Sequence, residues 1–101
     1  MEYIVKELHL PEEDEPNYVY SELDGQRRET RRVEFYPSGV CFAYGGDMGH
    51  EEALAQEAFP ADLRSLNVPG EVEVRSITRQ HFAEVWAQAQ ERPDGFMGMF
   101  F

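Results

Sequence analysis

Cysteine is almost absent from this chain. Cys41 stands alone, so no internal disulfide can form. Its place in the apolar run Val40-Cys41-Phe42-Ala43-Tyr44 fits a buried, inert thiol better than a nucleophile. Histidine is scarce as well, and His9, His50 and His81 lack the i, i+4 or short-loop spacing that a zinc site uses. No apolar stretch approaches the length of a membrane span. The N-terminus carries acids where a secretory signal has a basic region followed by an apolar one, which sets the expectation of a cytoplasmic protein. Positive charge is the remaining shortage: nine Lys and Arg stand against 20 Asp and Glu, for a net charge of −11. Such a field repels nucleic acid and anionic membrane and favours basic partners. The competing reading of the same charge is solubility alone.

What the chain does have is enough apolar matter for one core. Of 101 residues, 42% are hydrophobic, with seven Phe, five Tyr and one Trp, which suits a single packed domain. The expected fold is α+β: an antiparallel sheet of four to six strands with a C-terminal helix packed across one face. Residues 1–92 form the domain in this reading, and 93–101 an apolar tail. Tyr3 to Leu10 reads as the first strand. From Asn17 to Leu23 the alternation places Val19, Ser21 and Leu23 on one face and Tyr18, Tyr20 and Glu22 on the other. Asp24-Gly25 signals a turn. Val33 and Phe35 then alternate with Arg32, Glu34 and Tyr36. Pro37-Ser38-Gly39 is a second turn, and Val40 to Tyr44 a buried strand.

Glu51 to Phe59 reads either as helix, by composition, or as a short edge strand. Ala61 to Leu66 offers a helical turn or two, and Glu71 to Arg75 a half-exposed strand. Thr78 is a good helix N-cap, with Ile77 and Phe82 at the two positions of a hydrophobic staple. Phe82, Val85, Trp86 and Ala89 recur at helical spacing as one apolar stripe. This stripe is expected to lie on Val19, Leu23, Val33 and Phe35. The tail, with Phe96, Met97, Met99, Phe100 and Phe101, is expected to avoid exposure either by folding back on its own sheet or by docking on a second copy as a homodimer; a loose terminus is the competing reading.

Met1-Glu2-Tyr3-Ile4, Tyr20-Ser21-Glu22-Leu23-Asp24, Arg32-Val33-Glu34 and Phe82-Ala83-Glu84-Val85-Trp86 together carry a resemblance. They resemble a family of small acidic bacterial domains of unknown function, across about residues 1–90. The resemblance implies a Tyr-Ser-Glu-hydrophobic-Asp strand, an Arg-hydrophobic-Glu strand and a closing Phe-x-x-Val-Trp helix. The segment from Gly46 to Phe59 departs from the shorter, Gly-rich connection of that pattern. The resemblance implies no activity and transfers no catalytic residue.

Little in the sequence points to catalysis. Gly45-Gly46 lacks the following Lys, Ser or Thr of a phosphate cradle, so no cofactor is expected. Asp47, His50, Glu51 and Glu52 make one ligand-rich loop, for which simple solvation competes with a weak divalent site. Glu22 and Glu34 read as members of a salt-bridge ladder with Arg28, Arg31 or Arg32 in preference to an acid–base pair. No catalytic or metal-binding residue is assigned. The alternation instead places Tyr18, Tyr20, Glu22, Glu34 and Tyr36 together on the outer face of the sheet. Tyrosine brings contact area at low entropic cost and carboxylates steer encounter, so this set suits a basic protein partner; the competing reading is that the helix or the tail simply covers this face. The concrete expectation is a non-enzymatic binding module, such as an immunity protein that neutralises a basic toxin. The alternatives are a small-molecule-binding or hydrolytic domain and a self-associating accessory domain.

Overall fold

The computed structural model describes residues 1–90, so the tail and the homodimer expected through it lie outside the described residues. Five strands and one helix follow in chain order: β1 (Glu2–Leu8), β2 (Tyr18–Leu23), β3 (Glu29–Phe35), β4 (Cys41–Gly45), β5 (Val72–Ser76) and α1 (Arg79–Gln90). They form one sheet in the order β4-β3-β2-β1-β5. Every neighbouring pair is antiparallel, and the helix packs on one face, so the fold is α+β.

Local chemistry sets the joints. Asp24 accepts two backbone N–H bonds, from Gln26 at 2.8 Å and Arg28 at 3.0 Å, and so closes the β2–β3 turn. The left-handed residue of that turn is Arg27, with φ of 63°, and not Gly25. The cost is offset by the Arg27 side chain, which binds Glu2 and the carbonyls of Phe59 and Pro60. Gly45 ends β4 at φ of +88°, where a Cβ would stand 2.3 Å from the Thr30 carbonyl oxygen. Thr78 caps α1, its Oγ1 accepting the His81 N–H at 3.0 Å.

Between β4 and β5 the chain crosses the second face of the sheet. Glu51 to Phe59 is neither a helix nor a strand: a 3-10 turn spans Glu51–Ala53 and irregular chain follows. A further 3-10 turn, Leu63–Leu66, is capped by Asp62, which accepts from the Arg64 N–H at 3.0 Å. Both faces of the sheet are therefore covered. On the helix side, Phe82, Val85, Trp86 and Ala89 pack with Tyr3, Val33 and Cys41, and Tyr20, Phe35 and Ala43 close around them. On the other side, Ile4, Leu23 and Val74 pack with Phe59, Leu63 and Leu66.

This arrangement corrects the expected core. Val33 and Phe35 lie under the helix, but Val19 and Leu23 do not. Pairing sets Tyr20 opposite Val33 and Tyr18 opposite Phe35, so the tyrosine face of β2 turns toward the helix. Leu23 is fully buried on the opposite face. With apolar cover on both sides, either phase of an alternating strand can be core.

Phe82 is 0% exposed at the centre of the helix-side cluster. Truncation of Phe82 to Ala should lower unfolding free energy by about 3–5 kcal/mol, read from urea denaturation. A loss under ~1 kcal/mol would mean the helix is not held by this stripe.

Candidate functional site

The helix does not cover the whole of its face. Beyond its apolar stripe, at the ends of β2 and β3, an open groove of about 610 Å³ runs between sheet and helix. Its floor is Asn17, Tyr18, Tyr20, Phe35 and Tyr36, and its wall is His81, Glu84 and Gln88 from α1. Tyr18 and Tyr20 are two apart on one strand, so the pleat sets their rings side by side, 6.4 Å between centroids and 25° from parallel. Tyr20 also meets Phe35 and His81 edge-on, at 5.8 and 5.7 Å. Burial, and then the neighbouring Tyr18, push the Tyr20 hydroxyl above its ordinary range, so it stays a neutral phenol at physiological pH. The Tyr18 hydroxyl reaches Glu7 at 3.4 Å. The Asn17 side-chain oxygen, Oδ1, is buried with no hydrogen-bond partner.

Of the five residues expected on one outer face, the structure brings Tyr18 and Tyr20 together in this groove. Tyr36 borders it, but its hydroxyl turns to Glu34 and its ring meets Phe42 edge-on at 5.7 Å, on the far side of the sheet. Glu22 faces the helix side too, but it is 6% exposed and occupied. Arg31 holds it through Nε at 2.8 Å and Nη2 at 2.6 Å, and Thr30 donates at 2.8 Å. The Arg31 guanidinium in turn lies 5.0 Å from the Phe82 ring centre and 4.6 Å from that of Trp86. Glu34 lies on the opposite face, because it stands beside Val19 and not beside Tyr20. There it accepts from Arg32 at 3.1 Å, Tyr36 at 3.0 Å and Tyr44 at 3.3 Å. Burial, together with the hydrogen bond to Glu34, pushes the Tyr36 hydroxyl up to about 12. The salt-bridge reading of Glu22 and Glu34 is thus what the chain adopts, although the two pairs sit on opposite faces.

A bulge that the alternation did not reveal builds the far-side network. The register slips between Glu22 and Leu23, so that Leu23 faces Glu29. The slip turns Glu29 onto the face of Arg32 and Ser21. Its side chain, 1% exposed, accepts from Ser21 Oγ at 2.6 Å and from Arg32 Nη2 at 2.7 Å. The Ala55 N–H donates to it at 2.9 Å, fastening the β4–β5 connection to the sheet. All of these groups have partners, and the network reads as structure.

Metal-ligating types meet at one place that sequence spacing missed. Glu7, His9 and Glu73 bring three candidate ligand atoms within 4.8 Å of one another, because β1 and β5 pair Glu7 with Glu73. Arg75 lies between the two carboxylates, 3.3 Å from Glu7 and 3.4 Å from Glu73, and relieves their repulsion. In the Asp47-to-Glu52 loop, Asp47 accepts from Gln90 at 3.0 Å and His50 stands 3.8 Å from Glu52. Among the described residues no helix is long and apolar enough to cross a membrane.

The Glu22–Arg31 pair has a definite pH signature. Its hydrogen bonds to Arg31, with help from Thr30, hold the Glu22 carboxyl below the usual carboxylate range although burial pushes the other way. A carboxyl lowered in the folded state contributes stability above its unfolded pKa, near 4.5, and loses it as pH falls through the folded value. Arg31→Met should therefore destabilise by about 3–5 kcal/mol at pH 7, by leaving a buried carboxylate unpaired. The deficit should shrink in acid as Glu22 is protonated. Urea melts of both proteins at neutral and acid pH check this, and a deficit independent of pH would contradict it.

No curated protein and no solved structure matches the chain significantly. A family model described as a domain of unknown function, DUF6881, matches residues 2–91, which takes in all five strands and the helix. With its sheet, its closing helix and the Tyr-Ser-Glu and Phe-x-x-Val-Trp segments inside that match, the chain belongs to the DUF6881 family of domains of unknown function.

Proposed function

We propose that this domain is a non-enzymatic, acidic protein-binding module whose aromatic groove receives a basic partner. The observation that carries the reading is the pairing of Tyr18 and Tyr20 beside Glu84 and His81 in an open groove, on a chain of net charge −11. Tyrosine-rich concave surfaces provide rigid contact area, and the surrounding negative field draws in cationic surfaces. The buried carboxylates, by contrast, are consumed by internal arginines, which leaves recognition to the groove and its rim. The concrete form of the proposal is a bacterial, cytoplasmic immunity protein that occludes a basic toxin. The groove's volume also falls in the range of small-molecule pockets, so a hydrophobic or aromatic metabolite is the competing occupant.

Immobilised protein should retain a basic partner, and the association rate of the purified pair should fall steeply with added salt. Glu84→Lys and Tyr18→Ser alter an exposed and a half-exposed position and should weaken binding without changing the unfolding midpoint. Glu22→Lys and Glu34→Lys are poor probes, since each breaks an internal ion pair. Recovery of only neutral or acidic proteins, with affinity indifferent to salt, would overturn the proposal.

A further inference from the structure

The chain already shows how it holds an arginine against aromatic rings. Phe82 and Trp86 lie 6.2 Å apart and 18° from parallel, and the Arg31 guanidinium bridges both, with Glu22 accepting its hydrogen bonds. Tyr18 and Tyr20, on the same face of the sheet, repeat the ring geometry at 6.4 Å and 25°. Among the described residues no arginine is seated over that second pair at the distances of Arg31. Glu84 flanks it on the groove wall, and Glu7 at the Tyr18 hydroxyl is already paired with Arg75 at 3.3 Å, beside the ring pair and not over it.

We propose that the Tyr18–Tyr20 pair is a seat for the guanidinium of an arginine presented by a protein partner, with Glu84 on the groove wall supplying a flanking carboxylate. This rests on the binding-module reading and names the side chain that the groove selects. Arginine fits better than lysine for two reasons. Its planar group lies flat against near-parallel rings while its several donors reach a flanking carboxylate. An ammonium is a compact, strongly hydrated charge that gives up more on leaving water. The neutral Tyr20 phenol keeps the ring pair free of its own charge, so that the attraction comes from the ring faces and the flanking carboxylate.

The test uses the intact protein and three small probes: N-acetyl-arginine methylamide, its lysine counterpart and its citrulline counterpart. Their effects on the Tyr18, Tyr20, His81 and Gln88 resonances are followed by NMR titration. The arginine probe should shift these signals saturably and bind about fivefold tighter than the lysine probe. The citrulline probe, which lacks the charge, should bind more weakly still. Tyr18→Leu should remove the shifts while the rest of the amide spectrum is preserved. Glu84→Gln, on the exposed helix face, should weaken binding and lessen its salt dependence. Equal binding of citrulline or lysine, no saturable shift, or full binding by Tyr18→Leu would each overturn the assignment. Failure of the arginine probe with retained, salt-dependent capture of a basic protein would sink this inference alone. Arginine binding with no basic protein partner would sink the module reading and leave a guanidinium site.

Discussion

Arg31 and Arg32 are neighbours on β3, so the pleat sends their guanidinium groups to opposite faces of the sheet, and each meets a buried carboxylate. Arg31 joins Glu22 beneath the helix, and Arg32 joins Glu29 and Glu34 beneath the β4–β5 connection. A register slip of one residue between β2 and β3 would exchange the two faces and strand these charges in the wrong layer. Charge pairing and apolar cover thus select the same alignment. A buried ion pair adds little net stability over a hydrophobic replacement, but breaking one side of it is costly, which penalises every competing register.

The two pairs also tie the covering layers to the sheet. Arg31 reaches up to Phe82 and Trp86, so the helix docks on a cation as well as on Val33 and Cys41. Glu29 reaches the Ala55 N–H, and Arg27 holds Phe59 and Pro60, so an irregular connection gains fixed anchors without regular hydrogen bonding of its own. The helix is only 12 residues long and sits toward the Arg31 end of the face. A short helix over a sheet of five strands leaves concave space at both of its ends: a polar one of about 700 Å³ beside Tyr3, Glu22 and Arg31, and the Tyr18–Tyr20 groove at the other.

The sequence signals that proved sound were local. Thr78, Ile77 and the Phe82-Val85-Trp86-Ala89 spacing located α1, and the Pro37-Ser38-Gly39 turn separated β3 from β4. The alternation from Tyr18 to Leu23 sorted its residues correctly into two sets. It could not say which set met the helix, because Leu23 and Tyr20 are both compatible with a covered face. Nor could it show the Glu22–Leu23 bulge, which depends on the partner strand and turns Glu29 inward. In the candidate site, Tyr18 and Tyr20 were legible. Asn17, His81, Glu84 and Gln88 were not, since they join the groove only when the helix crosses the strand ends.

By itself the sequence determined the classes of element, their order, the acidic field and the membership of each alternating set, since propensity, turn chemistry and charge are properties of short segments. Only the tertiary structure decided which faces meet. That choice rests on the register of β2 against β3 and on the second covering layer, both set by residues far apart in the chain. It moved Glu34 and the Tyr36 hydroxyl away from Tyr18 and Tyr20, buried Glu22 against Arg31, and turned an expected outer face of tyrosines and carboxylates into an aromatic groove beside a helix.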